Sequence, residues 1–392
     1  MSAALGGIRV LDAATVLAGP VSATLLGDFG ADVVKIEDPR GGDVTRRGGR
    51  SPAWLQEGRN KKSVCLDLRT VEGQDLLHRL VPHFDVVITN FRVPTLARYR
   101  MLPGDLRPLH PRAVLLYLTG YGLDGPYRDR GAFDRVASAY SGLTYTTGEP
   151  DRPPVRSGYA VIDYMSAYLA AFSVVTALYH RDVAGGSGQV IDLALYEAGL
   201  RASEDAVPAH GLTGAIRERL GNRNPVIVPA SDFVARDGRR VSVHAGNDSL
   251  FRRLTTVMNR PDLAHSPLFA DAASRVRHQD ELYRVLGAWV GAHSADEVVR
   301  VLSDAGIPAS PIMNVADLVT DPHCIARGSV TTVPDPEFGT VPMVAPLPRM
   351  DTTPGEVRWA GRPLGADTEE VLGDLLGIAV PELEALRSKG IC

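Results

Sequence analysis

The chain reads as an α/β protein: a large domain with a Rossmann-like parallel sheet, and a smaller α/β domain inserted before the chain returns to the first. Three observations predict this. Apolar strand candidates alternate with helical stretches through the first 205 residues, the pattern of βαβ units and a parallel sheet. The texture then changes at Gly221-Asn222-Arg223-Asn224-Pro225, where a hairpin and several amphipathic helices follow. Finally, 392 residues exceed what one ordinary core accommodates, so two domains are expected.

Ile8 to Asp12 is the first strand candidate, Leu17-Ala18-Gly19-Pro20 a turn, and Val21 to Phe29 a helix ended by Gly30. Asp32 to Glu37 is the second strand. A nicotinamide-binding unit would place GxGxxG after the first strand; only Gly19 stands there, which disfavours that reading. The loop from Pro39 to Ser51 is rich in glycine and arginine. It is either a solvated connection or a phosphate contact through Arg40, Arg46 or Arg47, whose guanidinium groups match phosphate oxygens.

Further strands are expected at Val64–Leu68, Asp85–Ile88, Ala113–Leu118 and Gln189–Leu193, with helices at 71–81, 95–100, 134–140, 164–180 and 196–206. Asn90-Phe91-Arg92 and Thr119 to Tyr127 fall at strand carboxyl ends, where open α/β sheets collect ligands. Asp163 stands where an apolar extended run gives way to the 164–180 helix. It reads either as an N-cap or as a nucleophilic carboxylate held by helix-terminal amides.

In the second domain, Ser231–Ala235 and Val241–His244 form a hairpin through Asp237-Gly238. Helices are expected at 249–258, 280–292 and 295–305, giving a module of about a hundred residues. The domain plan is thus 1–205 for the first part of the large domain, 206–225 a linker, 226–328 the small domain and 329–392 a return segment. The return segment is proline-rich, with a last helix at Thr368–Leu376.

Hydrophobic residues make up 44% of the chain and charged residues 22%, as in soluble globular proteins. A net charge of -4 gives no footprint for nucleic acid or a membrane surface. No uninterrupted apolar run approaches the roughly 20 residues of a membrane helix, and no signal peptide is seen. Cys65, Cys324 and Cys392 have neither disulfide nor metal spacing, and the ten histidines form no HExxH pair, so no metal is expected. A cytoplasmic location fits these features.

With these residues laid out, the chain resembles the family III (CaiB/BaiF-type) CoA-transferases over nearly its whole length. The resemblance is carried by Gly7 to Asp12, Leu17 to Pro20, Gly30 to Glu37, Gly42-Asp43-Val44-Thr45-Arg46 and Asn60 to Ser63. It continues through Asn90-Phe91-Arg92, Gly120-Tyr121-Gly122, Gly125-Pro126, Phe133-Asp134, Ser141-Gly142-Leu143, Gly188-Gln189 and Leu364-Gly365. Each match alone is weak; as a set they are specific.

The resemblance implies that Asp163 is the catalytic aspartate. It implies CoA contacts from Val16 and Ala18 after the first strand, from Arg40, from Asn90, Phe91 and Arg92, and from Arg98. It implies an interlocked homodimer and a mobile loop at Ala245 to Asp248. The reaction implied passes CoA from an acyl-CoA to a free carboxylic acid through an aspartyl anhydride, with Gly122 and Gly246 as candidate oxyanion donors.

Departures from the pattern also matter. Racemases of similar fold place a histidine where Phe133 stands, so one member of the two-base relay is missing here. Arg92-Val93-Pro94-Thr95 replaces a usual Pro-Gly, Ser138 replaces a frequent glutamine, and the glycine-rich lid of formyl-CoA transferases is lacking. The alternatives are an α-methylacyl-CoA racemase or epimerase and a non-catalytic CoA-binding subunit. Tyr140, Tyr145, Tyr159 and Tyr164 are candidate linings of an acceptor pocket.

Overall fold

A computed structural model describes residues 3–392 and separates them into two compact units. One takes in the chain up to residue 143, residues 157–207 and residues 325–392; the other takes in 144–156 and 208–324.

The first unit is built on six parallel strands: β1 (Arg9–Asp12), β2 (Asp32–Glu37), β3 (Lys61–Cys65), β4 (Val86–Thr89), β5 (Val114–Thr119) and β6 (Val190–Ala194). Their order is β3-β2-β1-β4-β5-β6, so the succession reverses between β1 and β4. Loops leaving those two strands diverge and open a crevice at their carboxyl ends. The first five strands are almost wholly buried, charged residues of β1, β2 and β3 included, because helices cover both faces. One core lies under the Val71–Leu80 helix and the C-terminal helices. The other packs Val10, Ile88, Val114, Leu116 and Leu118 against the Ala18–Asp28 and Val161–Asp182 helices.

The sheet matches the expected strands except at β3, which begins at Lys61 rather than Val64. Lysine in a buried strand is invisible to hydropathy. Here Lys61 Nζ donates to Asp12 Oδ2 at 2.8 Å and to the Pro20 carbonyl at 2.6 Å, which makes its burial tolerable. The first helix starts at Ala18, inside the stretch read as a turn. Pro20 fits a first turn because its missing N–H would have no intrahelical partner there.

The Val161–Asp182 helix is longer than expected, and by length and composition alone it is apolar enough to cross a membrane. The run is not uninterrupted, since Ser166, Ser173 and Thr176 fall within it. In this fold its inner face, Ile162, Ser166, Ala170, Val174 and Ala177, is buried, its small side chains lying in the same core as Ala18 and Ala23 of the first helix.

The return segment supplies an antiparallel pair, β10 (Val330–Asp335) with β11 (Gly339–Val344). The Thr368–Leu376 helix is followed by one more, Val380–Ser388, so the expected last helix is not the last. This segment covers the β3 side of the sheet: the Ser63 amide donates to Asp367 Oδ2 at 2.8 Å and the Asp67 amide to the Ile391 carbonyl at 2.7 Å.

The second unit contains a three-stranded sheet ordered β7 (Ala230–Val234), β8 (Arg240–His244), β9 (Ala309–Pro311). The β7–β8 hairpin turns through Gly238 at φ 81°. Its helices pack Leu254, Leu286, Val298 and Leu302 into one core with Val241 and Val243. Gly246 follows β8; its carbonyl accepts from the buried Arg275 guanidinium at 2.9 Å.

Candidate active site

The crevice between β1 and β4 contains a cavity of about 360 Å³. Val16 and Ala18 line it from the turn after β1, Asn90, Phe91 and Arg92 from the turn after β4, and Asp163 and Phe133 from the opposite wall. Six of the expected site residues are therefore gathered in one place: Val16, Ala18, Asn90, Phe91, Arg92 and Asp163. Besides Arg92, Asp163 is the only ionisable group in the lining.

Asp163 is not an N-cap. The helix begins at Val161, with Ala160 at the cap position making no side-chain hydrogen bond. The cap comes from a distant residue. Asp134 Oδ1 accepts the Ile162 amide at 2.8 Å and the Asp163 amide at 3.4 Å. Asp163 thus sits in the first turn as a buried residue, 6% exposed, its carboxylate receiving no hydrogen bond from the described residues. Burial, and then the nearby Asp134 carboxylate, push its pKa up to about 7, since both disfavour the ionised form. Asp134 belongs to the Phe133-Asp134 match but carried no assigned role; only its reach across 28 positions reveals it.

The turn after β1 is held residue by residue. Lys35 Nζ donates to the Ala14 carbonyl. Asn90 brackets Thr15: its Oδ1 accepts the Thr15 amide at 2.8 Å and its Nδ2 donates to the Thr15 carbonyl at 2.6 Å. Asn90 therefore builds the turn as well as lining the cavity. The Val16 amide donates to Asp43 Oδ2 at 3.1 Å, and Val16 has φ 70°. A β-branched residue in the left-handed region costs on the order of 1–3 kcal/mol. Gly19, just inside the following helix, lets that helix close against the turn, because a Cβ there would lie 2.4 Å from that of Ala14.

Behind the turn lies a buried ionic cluster. Lys35 stands 3.8 Å from Asp12 and 3.6 Å from Asp43. Burial lowers the Lys35 pKa, but Asp12, Asp43 and Glu37 outweigh it and hold the ammonium above its ordinary value. For Asp43, burial pulls upward and Lys35 with the Thr45 and Val16 donors pull further down, so it stays ionised.

A second cavity of about 240 Å³ adjoins the first, sharing Thr15 and Phe91, and is lined by Asp38, Asp67, Arg69 and Tyr99. Arg40 is exposed and pairs with Asp38 at 3.1 Å. Arg98 is exposed and lies over the Tyr99 ring, 5.1 Å from its centroid. Neither reaches the Asp163 cavity; both neighbour the second one. Arg69, pairing with Asp38 at 3.0 Å and Asp67 at 2.7 Å, was not singled out, because nothing local distinguishes it from a surface arginine.

Several expectations fail on geometry. Arg46 is no phosphate contact: it is buried, binds Glu37 through two nitrogens at 2.6 and 2.7 Å, and stacks on Trp54. The Gly122 amide donates to Thr119 Oγ1 at 2.8 Å, so it is not free to hold an oxyanion here. None of Tyr140, Tyr145, Tyr159 and Tyr164 lines the Asp163 cavity. Tyr140 packs edge-on against Tyr121 and Tyr196, and Tyr164 donates to the buried Glu57 carboxylate at 2.9 Å.

Residues 5–368 match the family model described as CoA-transferase family III. The chain is 40% identical over 393 residues to a succinyl-CoA–D-citramalate CoA-transferase of Chloroflexus aurantiacus, covering 99% of this chain and 98% of that one. It is 40% identical over 396 residues to the beta subunit of a succinyl-CoA–L-malate CoA-transferase of the same organism, at 99% and 98% coverage. Among solved structures, a CaiB/BaiF family protein from Brucella suis superposes with TM-score 0.85 at 31% identity, covering 96% of this chain and all of that one.

Proposed function

As the chain belongs to CoA-transferase family III, its reaction is CoA transfer between an acyl-CoA and a carboxylic acid, and we propose that Asp163 is the nucleophile. The observation that carries this is a buried carboxylate, without hydrogen-bond donors, in a cavity at the sheet's reversal point. A carboxylate deprived of solvation is a stronger nucleophile than one in water, and the raised pKa expresses the same fact.

Asp163 attacks the acyl-CoA carbonyl; the C–S bond breaks, leaving a mixed anhydride and the CoA thiolate. The thiolate attacks the aspartyl carbonyl of the anhydride, releasing the donor acid and forming an aspartyl thioester. The acceptor carboxylate attacks the carbonyl of that thioester; the C–S bond breaks, releasing CoA thiolate and leaving a second anhydride between Asp163 and the acceptor. Thiolate attack on its acyl carbonyl forms the new acyl-CoA and frees Asp163. The pantetheine arm fits the Asp163 cavity, and the nucleotide end fits the second cavity, where Arg40, Arg69 and Arg98 offer phosphate partners. From the relatives' reactions, the donor is succinyl-CoA and the acceptor a short dicarboxylic acid.

The test is hydroxylamine trapping during turnover with succinyl-CoA, followed by peptide mass spectrometry. A hydroxamate on Asp163 is expected; one on another acidic residue removes Asp163 from this role. A racemase reading finds no second acid or base in the cavity, where Phe133 stands instead. Deuterium entering the α-carbon without CoA exchange would reinstate it.

The pH profile gives a separate check. Asp163 must be ionised to attack, so kcat/KM should rise with pH through about 7 and level above it. Asp134→Asn removes the neighbouring negative charge while keeping an acceptor for the helix amides. It should move that midpoint to lower pH, though not to the ordinary carboxylate range, because burial is the larger cause. An unmoved midpoint would assign the titration to another group.

The outer face of the Val161–Asp182 helix supports the homodimer reading. Tyr168, Phe172, Val175 and Tyr179 follow one another at helical spacing and are 53%, 70%, 44% and 64% exposed, an apolar stripe that a monomer rarely leaves uncovered. Light scattering should give twice the chain mass, and Phe172→Asp should shift it towards the monomer. A wild-type protein at single-chain mass would discard the dimer.

A further inference from the structure

Among the described residues six non-glycine residues have positive φ, and Val16 is the only β-branched one. It also lines the Asp163 cavity. A valine is a poor choice for that backbone conformation, because its branched Cβ crowds the flanking carbonyls. Something outside the turn must therefore hold it. The residue in contact with its amide is Asp43, buried, 27 positions away, on the loop after β2.

The two oxygens of Asp43 have separate duties. Oδ1 accepts the Thr45 amide at 2.9 Å and the Thr45 hydroxyl at 2.7 Å, ordering its own loop. Oδ2 accepts the Val16 amide at 3.1 Å and faces Lys35 at 3.6 Å. Its own amide donates to Glu37 Oε2 at 3.0 Å, so the carboxylate is anchored to β2 from behind. An ionised carboxylate is an acceptor only, and a charge-assisted bond of this kind is stronger than a neutral one. We propose that Asp43 is a positioning residue for CoA: by holding the Val16 amide it keeps the turn after β1 in the left-handed shape against which the CoA thioester lies.

This rests on the CoA reading above, and a double-mutant cycle tests it. Glycine adopts positive φ without penalty, so a turn carrying Gly at position 16 should no longer depend on Asp43. CoA affinity is measured by calorimetry for wild type, Asp43→Ala, Val16→Gly and the double variant. In the wild-type background Asp43→Ala should raise Kd roughly tenfold. In the Val16→Gly background the same change should cost less than about twofold, an interaction that independent sites do not show. Equal losses in both backgrounds, or no loss in the first, overturn the proposal. Should Asp43→Ala not fold, Asp43→Ser, whose shorter side chain withdraws the acceptor from the Val16 amide, takes its place in the same cycle and is judged the same way.

Hydrogen exchange of the ligand-free protein separates this from the functional reading. Exchange at the Val16 amide should accelerate in Asp43→Ala. Unchanged exchange there sinks the positioning role, whereas acceleration in Asp43→Ala together with a wild-type protein that binds no CoA sinks only the CoA reading.

Discussion

Asp163→Asn is expected to lower kcat by at least about 10⁴-fold while making the folded protein more stable at pH 8. Both effects come from the same burial. The native carboxyl holds its proton up to about pH 7, whereas the unfolded chain releases it near the ordinary value of 3.8. Between those values the native state binds more protons than the unfolded one, so this group's contribution to stability falls as pH rises through the window and is lowest above pH 7. Asparagine fills the same space without a charge to desolvate. Its stabilisation should be on the order of 2–4 kcal/mol at pH 8 and should shrink as the pH is brought towards 4. Urea unfolding of both proteins at pH 8 and pH 5 measures it. A variant that is inactive but no more stable at pH 8 would mean that Asp163 is solvated in the folded protein, and the nucleophile would lose its physical basis.

Arg46→Ala should be the most damaging single change away from the cavity. The Arg46 guanidinium and the Glu37 carboxylate are 3% and 0% exposed. Arg46 also donates to the Arg362 carbonyl at 3.0 Å and lies 3.7 Å from the Trp54 ring centroid. Removing it leaves the Glu37 charge buried with only the Ser63 hydroxyl and the Asp43 amide as donors. Breaking a buried pair in this way costs about 3–5 kcal/mol. Lysine should restore little, since one ammonium cannot reproduce a planar fork that bonds two carboxylate oxygens while stacking on an indole. Denaturant midpoints of Arg46→Ala and Arg46→Lys read this directly. A loss under about 1 kcal/mol for alanine would show that water or a shifted loop solvates Glu37.

These two residues show where reading the chain in one dimension succeeds and where it stops. The parallel strands were legible because buried strands are short apolar runs between turn residues, and β2 was bounded to the residue. β3 was misplaced because Lys61 is neutralised by Asp12, 49 positions earlier. The Val380–Ser388 helix escapes the apolar pattern although Pro381 near its start and Gly390 just past its end are both punctuation marks. Its single buried leucine, Leu383, leaves too faint an apolar stripe to register as periodic.

The candidate site divides in the same way. Val16, Ala18 and Asn90-Phe91-Arg92, which follow strands that the apolar pattern sets, and Asp163, in the first turn of an apolar helix, could be named by resemblance to the family. The environment that gives them their chemistry could not. Asp134 capping a helix 28 positions on, Asp43 holding Val16 across 27, and Arg46 turning inward to Glu37 all depend on which charges meet once the sheet has formed.

Strand succession and the place of Asp163 at the start of an apolar helix were written in local order, because apolar spacing and turn chemistry act over a few residues, whereas the reversal between β1 and β4 was not. The pKa of that acid, the left-handed turn facing it and the direction of each buried arginine were decided only by the folded chain. Desolvation and Coulomb energy depend on distances through space, and those distances do not exist until the chain has closed around them.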